Sequence, residues 1–136
     1  MKFMLDTNIC IDIIRNINRS LIARIIAQEI EAVSLSSITL AELEFGVAKS
    51  SRQLKNAFAL MEFVTPLQVH PFDSHAAQTY GSVRASLQRR GLSIGPLDTL
   101  IAAHALSLGL VLVTNNTREF CRVEGLQVED WAEVDF

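Results

Sequence analysis

The chain has few of the residues that mark secreted, fibrous or membrane proteins. Its 136 residues include only two cysteines, three prolines and six glycines. Two cysteines cannot build a disulfide framework, and their spacing is not that of metal ligands, so we expect Cys10 and Cys121 to be reduced, buried thiols. No apolar run approaches the roughly 20 residues that a membrane-spanning helix needs. The chain also begins without a secretory signal pattern, and we therefore expect a cytoplasmic protein that makes no membrane contact.

A surplus of positive charge is also missing. The net charge is −3, which argues against a protein that holds nucleic acid by overall attraction. It does not exclude a nuclease, because a metal ion and a few local arginines can hold a phosphate. The arginines are unevenly placed, with Arg84, Arg89 and Arg90 in one group and Arg118 and Arg122 in another. A solvated surface is the alternative explanation for both groups.

What the chain does have is an alternation of strand and helix patterns from end to end, in a single domain covering residues 1–136. Strands are predicted at residues 2–5, 33–36, 68–72, 110–113 and 126–129. Helices are predicted at residues 7–17, 20–31, 39–49, 52–64, 74–90 and 96–108, with a short one around residue 119. This alternation predicts an α/β fold with a central parallel sheet of four to five strands and helices on its faces.

Four acidic residues stand where this pattern passes from an apolar segment to a turn or helix: Asp6, Glu42, Asp98 and Glu119. In an open parallel sheet, the carboxyl ends of the strands gather in one crevice. Carboxylates that share a crevice repel each other unless a positive charge lies among them. Hard divalent cations take oxygen ligands of this kind, so the pattern indicates metal-dependent chemistry on phosphate esters.

Each acid also has a purely structural explanation. Asp6 could cap the first helix, and Glu42 could complete a capping box with Thr39. Asp98 lies in a first helical turn, where acids are favoured, and Glu119 could be a surface acid. The metal-site interpretation is favoured because the four acids belong to different elements and all fall near the same edge of the predicted sheet.

The chemistry expected of such a site is hydrolysis. Mg²⁺ or Mn²⁺ binds carboxylate and water oxygens, lowers the pKa of a bound water and neutralises charge that develops on phosphate. Asn8 and Asn116 neighbour two of the acids and are candidates for binding phosphate oxygen or metal-bound water. Arg118 is a further candidate for binding substrate. One or two metal ions are both compatible with the pattern.

Four segments together resemble the PIN-domain ribonucleases, and within them the VapC toxins of bacterial toxin–antitoxin pairs. They are MLDTN at residues 4–8, SITLAELEFG at 37–46, IGPLDTLIAAHA at 94–105 and LVTNNTREF at 112–120. The resemblance implies an α/β/α sandwich and a Mg²⁺- or Mn²⁺-dependent endoribonuclease. It places Asp6, Glu42 and Asp98 at the family's acidic positions, with Asp6 and Asp98 as metal ligands. The fourth acid, commonly aspartate, is Glu119 here, which leaves either Glu119 or Asn116 to complete the site.

The resemblance also implies partners. Family members cut structured RNA, and here it points to tRNA, cleaved in the anticodon stem-loop. A VapB-type antitoxin inserts its C-terminal segment into the toxin groove, and the complex dimerises through the toxin and reaches promoter DNA only through the antitoxin. Apolar residues at 22–26 and 58–63 could supply such contact surfaces, with plain core packing as the alternative.

The same residues also bear on alternative functions. Phosphatases of the haloacid dehalogenase type also begin with an apolar strand, but they need a second aspartate where this chain has Asn8. Receiver-like signalling modules need a lysine near the acids, and none of Lys2, Lys49 and Lys55 is suitably placed. A PIN nuclease that processes RNA without being a toxin stays open. His104 is expected to be a core or interface residue rather than a general base.

Overall fold

The computed structural model describes residues 2–132, which form a central sheet flanked by helices. The strands are β1 Phe3–Leu5, β2 Val33–Ser36, β3 Gln68–His70, β4 Val111–Val113 and β5 Val128–Glu129. The helices are α1 Thr7–Arg15, α2 Arg19–Ile26, α3 Ser37–Ala48, α4 Gln53–Val64, α5 Ser74–Arg89, α6 Pro96–Leu108 and α7 Thr117–Phe120. A short 3₁₀ helix, Ile30–Ala32, precedes β2.

The sheet is parallel throughout and has the strand order β3-β2-β1-β4-β5. This confirms the predicted α/β class and parallel sheet. The chain builds outward from β1 on one side and then crosses to β4 on the other. The order therefore reverses between β1 and β4, where Leu5 pairs in register with Val113. Open parallel sheets bind ligands at such a switch point, beyond the carboxyl ends of the strands.

Two apolar cores lie on opposite faces of the sheet. Successive strand residues point to opposite faces, so Met4 and Leu112 pack with residues of α5 and α6, while Leu5 and Val113 pack with residues of α1, α3 and α4. All four side chains are fully buried. The arrangement is the predicted three-layer sandwich, and it fixes the ends of β1 and β4 between two layers of helix. Among residues 2–132, no helix is both long enough and apolar enough to cross a membrane.

One helix prediction was wrong in its length. The sequence pattern extended a single helix over residues 20–31, but α2 ends at Ile26, and a turn and the 3₁₀ helix follow. The apolar pattern misleads because Ile26 and Ile30 are 76% and 46% exposed and do not pack on the sheet. The start also differs, since the Asn18 side chain caps α2 by accepting from the backbone N–H of Leu21.

The capping box proposed for Glu42 is also wrong. α3 begins at Ser37, and its cap is Ser36, whose hydroxyl accepts from the backbone N–H of Ile38 at 3.0 Å. Thr39 is fully buried inside the first turn. Glu42 is therefore a residue of the second turn, with its carboxylate free for another role.

The two cysteines differ, contrary to the expectation that both are buried. Cys10 lies on α1 and is buried in the hydrophobic core, and this burial raises the pKa of its thiol well above the usual value. Cys121 follows α7 and is exposed, because α7 covers the sheet with Phe120 and turns its next residue outward.

Candidate active site

Asp6 is the most firmly held of the acids. It follows β1 directly and caps α1, with Oδ1 accepting from the backbone N–H of Ile9 at 2.9 Å. Its Oδ2 accepts from the hydroxyl of Thr114 at 2.5 Å. The backbone N–H of Asp6 donates to the carbonyl of Val113, so the residue continues the pairing of β1 with β4. Its carboxylate is 3% exposed and fixed at the switch point of the sheet.

Glu42 approaches from α3 and is oriented by α1. The hydroxyl of Thr7 donates to Glu42 Oε1 at 2.7 Å, and the hydroxyls of Thr7 and Thr39 lie 3.4 Å apart. Thr7 is the first residue of α1, next to Asp6. One short segment of chain thus sets the position of two of the four acids.

Asp98 reaches the cluster from the first turn of α6. It follows the loop after α5 and not a strand, which differs from the strand-end position expected from the sequence. Gly95 caps this helix, and a Cβ there would lie 3.6 Å from Asp98 Oδ2. The first turn of a helix favours a negative charge because its N–H groups are unsatisfied.

Glu119 and Asn116 form a pair at the start of α7. The Asn116 side-chain amide donates to Glu119 Oε2 at 3.1 Å, and its backbone N–H donates to the Thr114 hydroxyl at 2.9 Å. Thr114 in turn donates to Asp6. The pair is therefore connected to the most buried acid through two hydrogen bonds.

The electrostatics show that the four acids share one site. Burial is the main cause that raises the pKa of Asp6 from 3.8 to about 6, against the hydrogen bonds from Thr114 and Ile9, and the charges of Asp98 and Glu42 raise it further. Burial, Glu42 and Glu119 raise the pKa of Asp98, in that order. Asp98 thus interacts with all three other acids.

The cluster fits a hard divalent cation. All four side chains offer carboxylate oxygens, the donors that Mg²⁺ and Mn²⁺ prefer. A cation would favour the charged form of Asp6, whose pKa is raised mainly by burial and further by the neighbouring carboxylates. Within residues 2–132, no three His, Cys, Asp or Glu side chains are close enough to hold an ion by themselves. Mg²⁺ sites in proteins commonly take one or two carboxylates and complete their coordination with water.

An open groove of about 770 Å³ adjoins the cluster between α1, α3 and α4. Glu42 and Asn8 line it near the acids, and Arg15 and Lys49 bring positive charge. Asn8 is thus brought to the site edge. Arg118 is exposed on α7, and in the described part of the chain its guanidinium has no hydrogen-bond or ion-pair partner.

Sequence reasoning did not assign roles to Thr7 and Thr114, the hydroxyls that hold Glu42 and Asp6. A signal for Thr114 was present, because it follows β4 as Asp6 follows β1. The register pairs Leu5 with Val113, which places the next residue of each strand side by side. The pairing register of β1 with β4 could not be predicted from the sequence alone.

His104 lies away from the acids, as expected. It is 1% exposed, and its Nδ1 is 2.7 Å from the hydroxyl of Ser36. Phe72 meets its ring edge-on at 5.2 Å. Burial is the main cause that lowers the pKa of His104, and His70 lowers it further. His104 is a neutral core histidine that connects α6 to the start of α3.

Comparisons with known proteins cover nearly the whole chain. Residues 3–126 match the family described as PIN domain. The tRNA(fMet)-specific endonuclease VapC of Shigella flexneri is 46% identical over 132 residues, covering 97% of this chain and 99% of the relative. The ribonuclease VapC2 of Rickettsia felis is 39% identical, covering 96% and 98%. DNA-bound VapBC from Salmonella typhimurium has a chain that superposes with a TM-score of 0.91 at 44% identity, covering 96% of this chain and 98% of that one.

Proposed function

Because the chain belongs to the PIN-domain family, we propose that it is a metal-dependent endoribonuclease, the toxin of a toxin–antitoxin pair that a VapB-type antitoxin neutralises. The observation that carries the proposal is the cluster of Asp6, Glu42, Asp98 and Glu119 at the switch point of the sheet, with shared electrostatics. The ribonuclease names of the relatives and the VapBC assembly of the structural neighbour support it.

We assign Asp6 and Asp98 as the ligands of Mg²⁺ or Mn²⁺. When bound, such an ion acidifies water and offsets the charge that builds up on the phosphoryl group. Thr114 holds the Asp6 carboxylate in place, and Thr7 holds Glu42 so that it can orient the attacking water. Glu119, which accepts a hydrogen bond from the Asn116 side chain, completes the acidic cluster.

We propose that the substrate is tRNA, cut in the anticodon stem-loop. The name of the Shigella flexneri relative, a tRNA(fMet)-specific endonuclease, makes initiator tRNA the first substrate to test. Asn8 at the groove edge and Asn116 beside Glu119 are assigned to bind phosphate oxygen. Arg118, an exposed cation on the helix that carries Glu119, is assigned to bind the RNA backbone.

We place the antitoxin in the groove between α1, α3 and α4. Its lining is mostly apolar and includes Ile14, Leu60 and the 65%-exposed Phe45, which suits the C-terminal segment of a partner chain. A segment in that groove would lie against Glu42 and cover the site. The assembly is proposed to dimerise through this chain. It is also proposed to reach DNA through the antitoxin, and the DNA-bound VapBC neighbour supports the contact with DNA.

The decisive experiment is cleavage of purified tRNA(fMet), and of total RNA, by the full chain. We expect one discrete cut with Mg²⁺ or Mn²⁺, none with EDTA, and a loss of at least about a hundredfold in Asp98→Asn, because such a change removes a proposed metal ligand. Asp73→Asn alters an exposed helix cap and serves as the matched control. Full activity of Asp98→Asn, or full activity in EDTA, would contradict the mechanism.

A growth assay, set beside the cleavage assay, separates a toxin from an RNA-processing nuclease. A toxin should arrest growth when expressed alone and be rescued by co-expression with the antitoxin encoded beside it. Cleavage in vitro without growth arrest would favour the PIN nuclease that is not a toxin. Release of phosphate from monoesters without RNA cleavage would revive the phosphatase alternative.

A further inference from the structure

A second pocket lies on the opposite side of Asp98 from the antitoxin groove. Leu97 lines the groove, whereas Pro96 and Thr99 line a pocket of about 210 Å³ between α5 and the loop that precedes α6. Successive helical residues point about 100° apart, so Leu97 and Thr99 diverge from Asp98 in opposite directions. The start of α6, which carries Asp98, therefore has a recess on each side, and the function proposed above uses only one.

The lining of this pocket combines an apolar floor with a polar rim. Leu87 is 2% exposed and Ile94 packs against the same core, so both close the floor. Tyr80 contributes an aromatic ring, and Gln88 and Ser93 contribute polar groups. Such a mixture matches a nucleobase, which has flat apolar faces and hydrogen-bonding edges, and RNA-binding proteins stack bases on tyrosine rings in this way.

Arg84 supplies the positive charge at the rim. Its Nη1 donates to the Tyr80 hydroxyl at 3.1 Å, which orients the guanidinium and leaves its remaining N–H groups available. The ion pairs among residues 2–132 are Arg24–Glu129 and Arg90–Glu124, so Arg84 has no acidic partner there. An arginine held in place without a counter-charge is suited to bidentate binding of phosphate.

We propose that this recess, the Arg84 pocket, binds one nucleotide of the RNA substrate next to the scissile phosphate. The guanidinium of Arg84 binds the phosphate and the base lies against Tyr80. On a chain of net charge −3, RNA must be held by such local cations rather than by overall attraction. This inference rests on the proposed ribonuclease function and adds a substrate subsite to it.

The test is the salt dependence of cleavage by Arg84→Ala in the full chain. Each phosphate contact contributes about 0.7–0.9 to the slope of log affinity against log salt. We expect KM for tRNA to rise about tenfold at ~0.15 M salt, kcat to stay within about twofold, and the slope of log kcat/KM to fall by about one. Tyr80→Phe keeps the ring but releases Arg84, and should give a smaller rise in KM.

Arg89→Ala is the matched control, because Arg89 is exposed on the same helix and does not line the pocket. It should leave KM and the salt slope at wild-type values. The proposal is overturned if Arg84→Ala retains wild-type KM and slope, or if light scattering shows that it alters the oligomeric state, which would make the pocket a protein interface. Wild-type protein that cuts no RNA would instead overturn the proposed function, before any variant is compared.

Discussion

At the residue scale, Asp6 is a carboxylate held where its charge is unfavourable in the absence of metal. Its pKa of about 6, raised from 3.8 mainly by burial, corresponds to about 3 kcal/mol at 1.36 kcal/mol per pKa unit. Because the folded-state pKa is raised, the stabilising protonated form is fully present below pH ~4 and lost as pH rises through ~6. The charged form of Asp6 is therefore destabilising at neutral pH, and the proposed cation would offset this cost.

We predict that Asp6→Asn stabilises the metal-free protein. Asparagine still caps a helix and carries no charge, but its amide nitrogen cannot accept from the Thr114 hydroxyl as Oδ2 does. The free energy of unfolding at pH 7.5 in EDTA should therefore rise by about 1–2 kcal/mol, less than the full value of the pKa shift. The gain should vanish near pH 4, where Asp6 is itself protonated. Urea unfolding at both pH values measures it.

Asp73→Asn is the matched control for that prediction. Asp73 caps α5 as Asp6 caps α1, by accepting from the backbone N–H of Ala76 at 2.9 Å. It is exposed, and this hydrogen bond is the main cause that lowers its pKa. Its replacement should therefore bring no gain. If Asp6→Asn were the less stable protein at pH 7.5, burial would not be the dominant influence on Asp6.

At the element scale, the Ser36–His104 hydrogen bond joins the two helices that carry Glu42 and Asp98. Ser36 caps α3 and His104 lies on α6, and both side chains are buried. The folded-state pKa of His104 is lowered, mainly by burial and then by His70 on β3, while Asp73 acts in the opposite direction. A buried neutral imidazole is stabilising above the unfolded pKa of about 6.5 and loses that contribution as pH falls.

We predict that His104→Leu lowers the free energy of unfolding at pH 7.5 by about 1–3 kcal/mol, because it removes one of the two hydrogen-bond partners of the buried Ser36 hydroxyl. His104→Asn offers an oxygen near the lost nitrogen and should recover part of the loss. The advantage of the wild type over His104→Asn should shrink between pH 7.5 and 5.5, measured by urea unfolding. An advantage that grows towards pH 5.5 would mean that the imidazole is charged in the fold.

The sequence predicted the strands and most helices because these elements depend on residues that are near one another in the chain, such as a proline at a helix start. Pro96 starts α6 as expected, and Gly91, with a φ of 67°, follows the end of α5. Two of the wrong expectations have non-local causes. Ile26 and Ile30 fit the apolar pattern of one helix, but both are exposed and do not pack on the sheet. The helix cap is Ser36 rather than Thr39 because β2 ends at Ser36.

The candidate site likewise contains residues that the sequence could predict and residues that it could not. Asp6, Glu42, Asp98 and Glu119 could be selected because each acid stands where an apolar segment gives way to a turn or helix. Thr114 could not, because its bond to Asp6 spans 108 residues and depends on the register of β1 with β4. Whether these residues perform catalysis stays a prediction for the cleavage assay.

At the scale of the whole molecule, the groove adjoins the acidic cluster, because Glu42 lines the groove. Glu42 belongs to both, and Asn8 lines the groove next to Asp6 in the chain, so we expect a partner segment in the groove to block RNA without touching Asp6. The proposed antitoxin contacts nevertheless extend beyond the proposed catalytic residues, since apolar residues of α3 and α4 line the groove. A substitution there should separate the two activities.

Gly46 offers such a substitution. It lies within α3, lines the groove, and a Cβ added there meets no atom within 4 Å. We predict that Gly46→Leu fills the groove and weakens antitoxin binding by about tenfold or more, which is ~1.4 kcal/mol. RNA cleavage should be unchanged, and α3 should not be destabilised, because leucine favours a helix over glycine by up to about 1 kcal/mol. Calorimetric titration with the antitoxin and the tRNA assay measure the two effects.

Gly81→Leu provides the comparison, because Gly81 also lies within a helix, α5, with nothing within 4 Å of an added Cβ, but does not line the groove. Leucine there should leave antitoxin affinity at the wild-type value. If Gly46→Leu bound the antitoxin as tightly as Gly81→Leu does, the antitoxin would have to block the acids from another side. The groove would then have to be reconsidered as part of the RNA path.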